Sequence, residues 1–101
     1  MTFEVIYPKD INRLRMEKRA ILIDMRPRDS YRRGHWEGAI NYPEEEVSDY
    51  RQVLGKNRMI ILYCEHGGSS MQQARFLGKN GYMVGTVVGG YDAMKKIDSR
   101  H

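Results

Sequence analysis

The sequence predicts an α/β domain, a mainly parallel sheet with helices on both faces. Three observations lead there. Short apolar runs alternate with stretches of helical spacing several times within 101 residues, the pattern of successive βαβ units. Two of the runs, Ala20 to Ile23 and Met59 to Tyr63, are apolar without alternation, which is how a strand covered on both faces reads. Gly34, Gly55 and Asn80-Gly81 close the helical stretches, so the connections between elements are short.

The chain begins with Phe3 to Tyr7, a short alternating segment that suits an edge strand. Pro8 opens a helical stretch with Ile11 and Leu14 on one face. The strand Ala20 to Ile23 ends at Asp24, and Asp24 to Ser30 forms a polar turn. In open α/β sheets, ligands bind at that end of the strands. Asp29 or Ser30 is placed to cap a short helix through Tyr31 and Arg33, stopped by Gly34. Ala39 to Tyr42 reads as a brief strand. Pro43 and Glu44-Glu45-Glu46 read as the first turn of a helix with Val47, Tyr50 and Leu54 on one face. Helix-start chemistry explains the three carboxylates better than a metal site, since no His or Cys beside them completes a ligand set. Met59 to Tyr63 is the most apolar strand and takes the central place. Behind it, Met71, Ala74, Leu77 and Gly78 form a helical stripe, with small residues at 74 and 78 allowing close approach to the sheet. Val84 to Val88 is the last strand. Gly89-Gly90 breaks it, and Tyr91, Met94 and Ile97 space a final short helix.

Size and composition bound the function. One domain, residues 1–101, uses the whole length. The hydrophobic share of 41% and charged share of 30% are ordinary for a soluble chain. A formal charge of +4 with scattered basic residues argues against nucleic acid as a partner and mildly favours small anions. The single cysteine rules out an internal disulfide and fits a reducing compartment. Charges crowd the first twenty residues, and no apolar run approaches the roughly 20 residues of a membrane span. A cytoplasmic protein without a membrane partner is expected, and nothing in the sequence calls for a cofactor or a metal.

Chemistry concentrates after the central strand, in Cys64-Glu65-His66-Gly67-Gly68-Ser69-Ser70. A lone cysteine is often a buried, inert thiol. Cys64, however, stands at the exit of its strand, and the residues after it make a poor core. Gly67 and Gly68 permit left-handed backbone and close approach of N–H groups to an anion. Ser69 or Ser70 suits a helix N-cap. Helix N-termini favour the thiolate, so Cys64 reads as a nucleophile. His66 reads equally as a partner of the thiolate or of an anionic substrate, and as a solvated loop residue.

With these residues laid out, the chain resembles the rhodanese (thiosulfate sulfurtransferase) domain family over nearly its full length. Ile21-Leu22-Ile23-Asp24-Met25-Arg26 resembles the family's Leu-Ile-Asp-Val-Arg segment. Tyr31 to Pro43, with Gly34-His35 and Gly38-Ala39 inside it, resembles a second. The Cys64 to Ser70 stretch occupies the active-site loop, and Gly78 to Tyr82 and Gly89-Gly90-Tyr91 match two later landmarks. Five motifs in the right order make the likeness specific. It implies a rhodanese-like fold with a five-stranded sheet. It also implies that Cys64 takes a sulfane sulfur from a small anionic donor or a protein persulfide and passes it to a thiol, including one on a protein. The backbone of Glu65, His66, Gly67, Gly68, Ser69 and Ser70 would cradle the persulfide, and Asp24, carried over by position, would brace the loop. Arg26, Arg28 or His66 is left to supply charge to the site. Two departures matter. Ser69 stands where the family loop usually has arginine, which predicts weak thiosulfate turnover and keeps open a binding or redox-sensing module with little turnover. Trp36-Glu37 and Tyr42 replace usual residues and predict altered packing near the site. Phosphatases and arsenate reductases of the related loop type use Cys-x5-Arg; Ser70 at that position argues against them.

Overall fold

The computed structural model describes residues 2–46 and 54–100. Its strands are β1 (Glu4–Ile6), β2 (Ile21–Asp24), β3 (Ile40–Asn41), β4 (Ile60–Tyr63) and β5 (Val84–Val87). Its helices are α1 (Ile11–Lys18), α2 (Arg28–Arg33), α3 (Gly68–Lys79) and α4 (Gly90–Met94). The five strands form one sheet in the order β1-β5-β4-β2-β3, and every pairing is parallel. The expected strand–helix alternation thus gives the expected sheet, with β4 at its centre and β1 on an edge.

Side-chain alternation along β4 divides the core in two. Ile61 and Tyr63 face a layer built with Ile11 and Leu14 of α1, Trp36, and Met94 of α4. Ile60 and Leu62 face the other layer, with Ala74 and Leu77 of α3. Burial on both faces is the physical reason β4 reads as an unbroken apolar run.

Pro8 opens the helical stretch as expected, with a short 3-10 turn, Pro8–Asp10, that runs directly into α1. Several other local expectations are corrected. The segment after Pro43 is likewise a 3-10 turn, Glu44–Glu46. The longer helix expected over Val47 and Tyr50 falls outside the described residues. Neither Asp29 nor Ser30 caps α2: Pro27 holds the N-cap position without a side-chain bond, and Asp29 sits inside the first turn. Met71 is exposed, not part of the buried stripe. Gly78 approaches the backbone of Thr2 instead of the sheet. Ile97 lies beyond the end of α4 and packs against the α1 layer. The altered Trp36 is buried in that same layer, its indole N–H donating to Asn12 at 3.0 Å.

The register matters most for function. Asp24 pairs with Tyr63 across β2 and β4. The turn after Asp24 and the loop after Tyr63 therefore leave the sheet side by side.

Candidate active site

The loop from Cys64 to Gly67 connects the end of β4 to the start of α3. Gly67 holds the N-cap position with φ of +107°, a left-handed conformation that a side chain strains. Ser69 and Ser70, expected as caps, lie within the first turn instead. The reason is at the sulfur. Cys64 Sγ accepts the Gly67 N–H at 3.1 Å and the Ser70 N–H at 3.4 Å. Ser70 is the third helical residue, whose N–H an N-cap side chain ordinarily accepts. Cys64 thus caps α3 from three residues upstream, and the serines are released from that duty. A sulfur in this position sits where unpaired N–H groups and the positive end of the helix converge. Cys64 is 8% exposed, so one small face of it reaches the surface.

The loop is held from the far side by α4. The N–H groups of Tyr91 and Asp92 donate to the carbonyls of Cys64 at 2.8 Å and Glu65 at 3.1 Å. A Cβ on Gly90 would stand 2.5 Å from the Cys64 carbonyl oxygen, so this contact needs glycine. His66 is exposed and pairs through Nδ1 with Asp92 Oδ2 at 2.6 Å. Its partner is therefore on α4, and it adds a third tie between loop and helix. Partial desolvation works against the Asp92 charge, but His66 and Lys95 outweigh it and hold the carboxyl below its ordinary value.

Asp24 and Arg26 form a buried, bidentate pair, with Nε and Nη2 of Arg26 both on the carboxylate. Arg26 also donates to the Gly34 carbonyl at 2.6 Å and lies over the Tyr91 ring at 3.9 Å. Burial opposes its charge, and Asp24 more than restores it, so its pKa stands above the ordinary arginine value. Asp24 reaches the loop through this chain of contacts: it fixes Arg26, Arg26 supports Tyr91, and the Tyr91 N–H holds Cys64. Tyr63 is kept protonated, first by burial and then by the Asp24 carboxylate; its hydroxyl accepts the Trp36 N–H at 3.2 Å.

A cavity of about 190 Å3 opens beside Glu65, walled by Arg26, Arg33, Tyr91 and Lys95 among others. Arg28, by contrast, is engaged with Glu46 on the surface. A larger depression, about 690 Å3, lies at the opposite end of the sheet around Arg15, Ala20 and Arg58, away from Cys64. Tyr91 and Asp92 hold the Cys64 loop, a role that spacing along the sequence does not show. Only the Gly89-Gly90-Tyr91 landmark signalled that this stretch mattered.

A model of the rhodanese-like domain matches residues 7–97. The chain belongs to the rhodanese-like domain family. Among relatives, it is 32% identical to the thiosulfate sulfurtransferase GlpE of Coxiella burnetii over 82 residues, covering 79% of this chain and 77% of that one. Among solved structures, it resembles the reduced CoADR-RHD of Bacillus anthracis with a TM-score of 0.82 and 28% identity. That match covers 92% of this chain but only 16% of a much longer protein. A rhodanese homolog from Thermus thermophilus matches at a TM-score of 0.71 and 27% identity, over 89% of this chain and 99% of that one. These relatives support a sulfurtransferase-type domain. No described helix is long and apolar enough to cross a membrane.

Proposed function

We propose that this rhodanese-like domain moves sulfane sulfur through a persulfide on Cys64. The observation that carries the reading is the convergence of the Gly67 and Ser70 N–H groups on Cys64 Sγ at the start of α3. An anionic sulfur, whether thiolate or persulfide, is stabilised by such a nest. The Cys64 thiolate attacks the outer sulfur of the donor. With thiosulfate, a new S–S bond forms to Cys64 as the old one breaks, and sulfite leaves with the bonding electron pair. An acceptor thiolate then attacks the outer sulfur of the persulfide, takes it, and returns the Cys64 thiolate. One difficult transfer is thereby divided into two displacements.

The donor is a small sulfur-bearing anion or a protein persulfide, and the acceptor is a thiol, either small or on a protein. A lone thiol working in this way suits the reducing cytoplasm. The Ser69 hydroxyl replaces the loop arginine, so thiosulfate lacks its usual bidentate grip. That same feature favours a second reading, a redox-sensing module in which Cys64 takes up sulfur or oxidant with little turnover.

Incubation with thiosulfate, or with a small persulfide, followed by intact-mass measurement should add one sulfur atom to the wild-type chain and none to Cys64→Ser. Cyanide should then release thiocyanate over many cycles. An adduct that persists in Cys64→Ser sinks the assignment of Cys64. An adduct that forms but supports no turnover with any acceptor leaves the sensing reading.

A further inference from the structure

Two hydroxyls behind the Cys64 sulfur take no part in the displacements above. Ser70 Oγ lies 3.5 Å from Cys64 Sγ. Its closest polar neighbour is Thr86 Oγ1, on β5, at 2.7 Å. Both residues are shut off from solvent, Ser70 at 0% and Thr86 at 1% exposure. Among the described residues they join Asp24 and Arg26 as buried polar side chains, beside the polar tips of Tyr63 and Trp36 and the Cys64 sulfur. A valine has the shape of threonine, suits a strand, and leaves no polar atom to satisfy. A hydroxyl buried on the strand beside the central one, aimed at the residue touching the sulfur, therefore invites a role.

Counting protons shows what the pair can do. A serine hydroxyl has one proton and two lone pairs. While Cys64 is a thiol, its S–H donates to Ser70 Oγ, and Ser70 donates to the Gly67 carbonyl at 3.2 Å. When the thiol proton leaves to solvent, Sγ becomes an acceptor. Ser70 can then turn its O–H from Gly67 to the sulfur. Its buried oxygen has lost the S–H that donated to it, and Thr86 Oγ1, at 2.7 Å, is placed to donate in its stead.

We propose that Thr86 is a positioning residue for the anionic sulfur: it donates to Ser70 Oγ and so presents the Ser70 proton to Cys64. The sulfur then has three donors, the N–H groups of Gly67 and Ser70 and the Ser70 hydroxyl. Charge-assisted hydrogen bonds are the stronger kind, and donors linked in a chain polarise one another. The inference rests on Cys64 being the sulfur carrier.

Alkylation of Cys64 by iodoacetamide across a range of pH tests it, because the thiolate is the reacting form. Ser70→Ala should slow alkylation at neutral pH by about tenfold, the effect of one hydrogen bond to a charged acceptor. Thr86→Val should slow it by a smaller factor and move the pH profile to the alkaline side. Thr86→Ser, which keeps the hydroxyl, should restore the wild-type profile. The double variant Ser70→Ala/Thr86→Val should be no slower than Ser70→Ala alone. A wild-type profile in both Thr86→Val and the smaller Thr86→Ala overturns the proposal. So does failure of Thr86→Ser to rescue, or a double variant that multiplies the two single effects, since either means that Thr86 acts by packing. The sulfur-loading assay on wild type separates this from the parent reading: absence of any adduct there removes the carrier, whatever the alkylation profiles show.

Discussion

Arg26 illustrates how far a single residue can be read before its neighbours are known. By position it stands at the edge where ligands bind, as a cation in support of an anionic site. In the fold its guanidinium is committed to Asp24 and to the Gly34 carbonyl. It serves as a buried brace, and its charge is matched before any donor arrives. Replacing Asp24 by Asn should accordingly destabilise the fold by about 3–5 kcal/mol, the cost of leaving one member of a buried pair uncompensated, read as a lowered urea midpoint. A loss under about 1 kcal/mol, the scale of an exposed pair, would show that the pair is solvated in solution. Ser69 poses the opposite case, a departure from the family that the sequence alone exposes. It sits half-buried in the first turn of α3, next to Ser70. Ser69→Arg should lower the KM for thiosulfate severalfold by adding a cationic contact. An unchanged KM would indicate a donor that needs no such grip.

At the level of elements, the β4–loop–α3 unit was legible because each part has a local signature: an apolar run, then glycines, then helical spacing. Its cap was not. Serine is a good N-cap by propensity, but propensity describes a helix that must satisfy its own end. Here the sulfur of Cys64 accepts the Ser70 N–H, and the chain turns through a left-handed Gly67 to let it. The support from α4 was equally hidden, because it joins residues 64 and 65 to residues 91 and 92. Gly90 marks that junction, with φ of +60° and its missing Cβ facing the carbonyls of Cys64 and Glu65. Gly90→Ala should displace the loop and cut the rate of sulfur loading at least tenfold, while circular dichroism still reports a folded domain. Loading at the wild-type rate would mean that the loop keeps its geometry without α4.

Across the whole molecule, stability should grade outward from the centre of the sheet. β4 is flanked by β5 and β2 and covered by both core layers, whereas β1 and β3 are short edges. Amide hydrogen exchange should be slowest at Ile61 and Leu62 and fastest, among strands, in β1 and β3. Comparable protection in β1 and β4 would contradict this ordering. The sequence by itself determined the class of fold, the strand order's central member, the place of Cys64 at the C-terminal edge of the sheet and the family. Those features are carried by patterns within short windows, or by motifs whose order survives in one dimension. Tertiary structure alone decided what each polar group faces: Arg26 turned inward to Asp24, His66 tied to Asp92, and Thr86 set behind Ser70. Such pairings depend on which strands lie side by side, and parallel strands bring together residues separated by a whole helix. Spacing along the chain therefore carries no record of them.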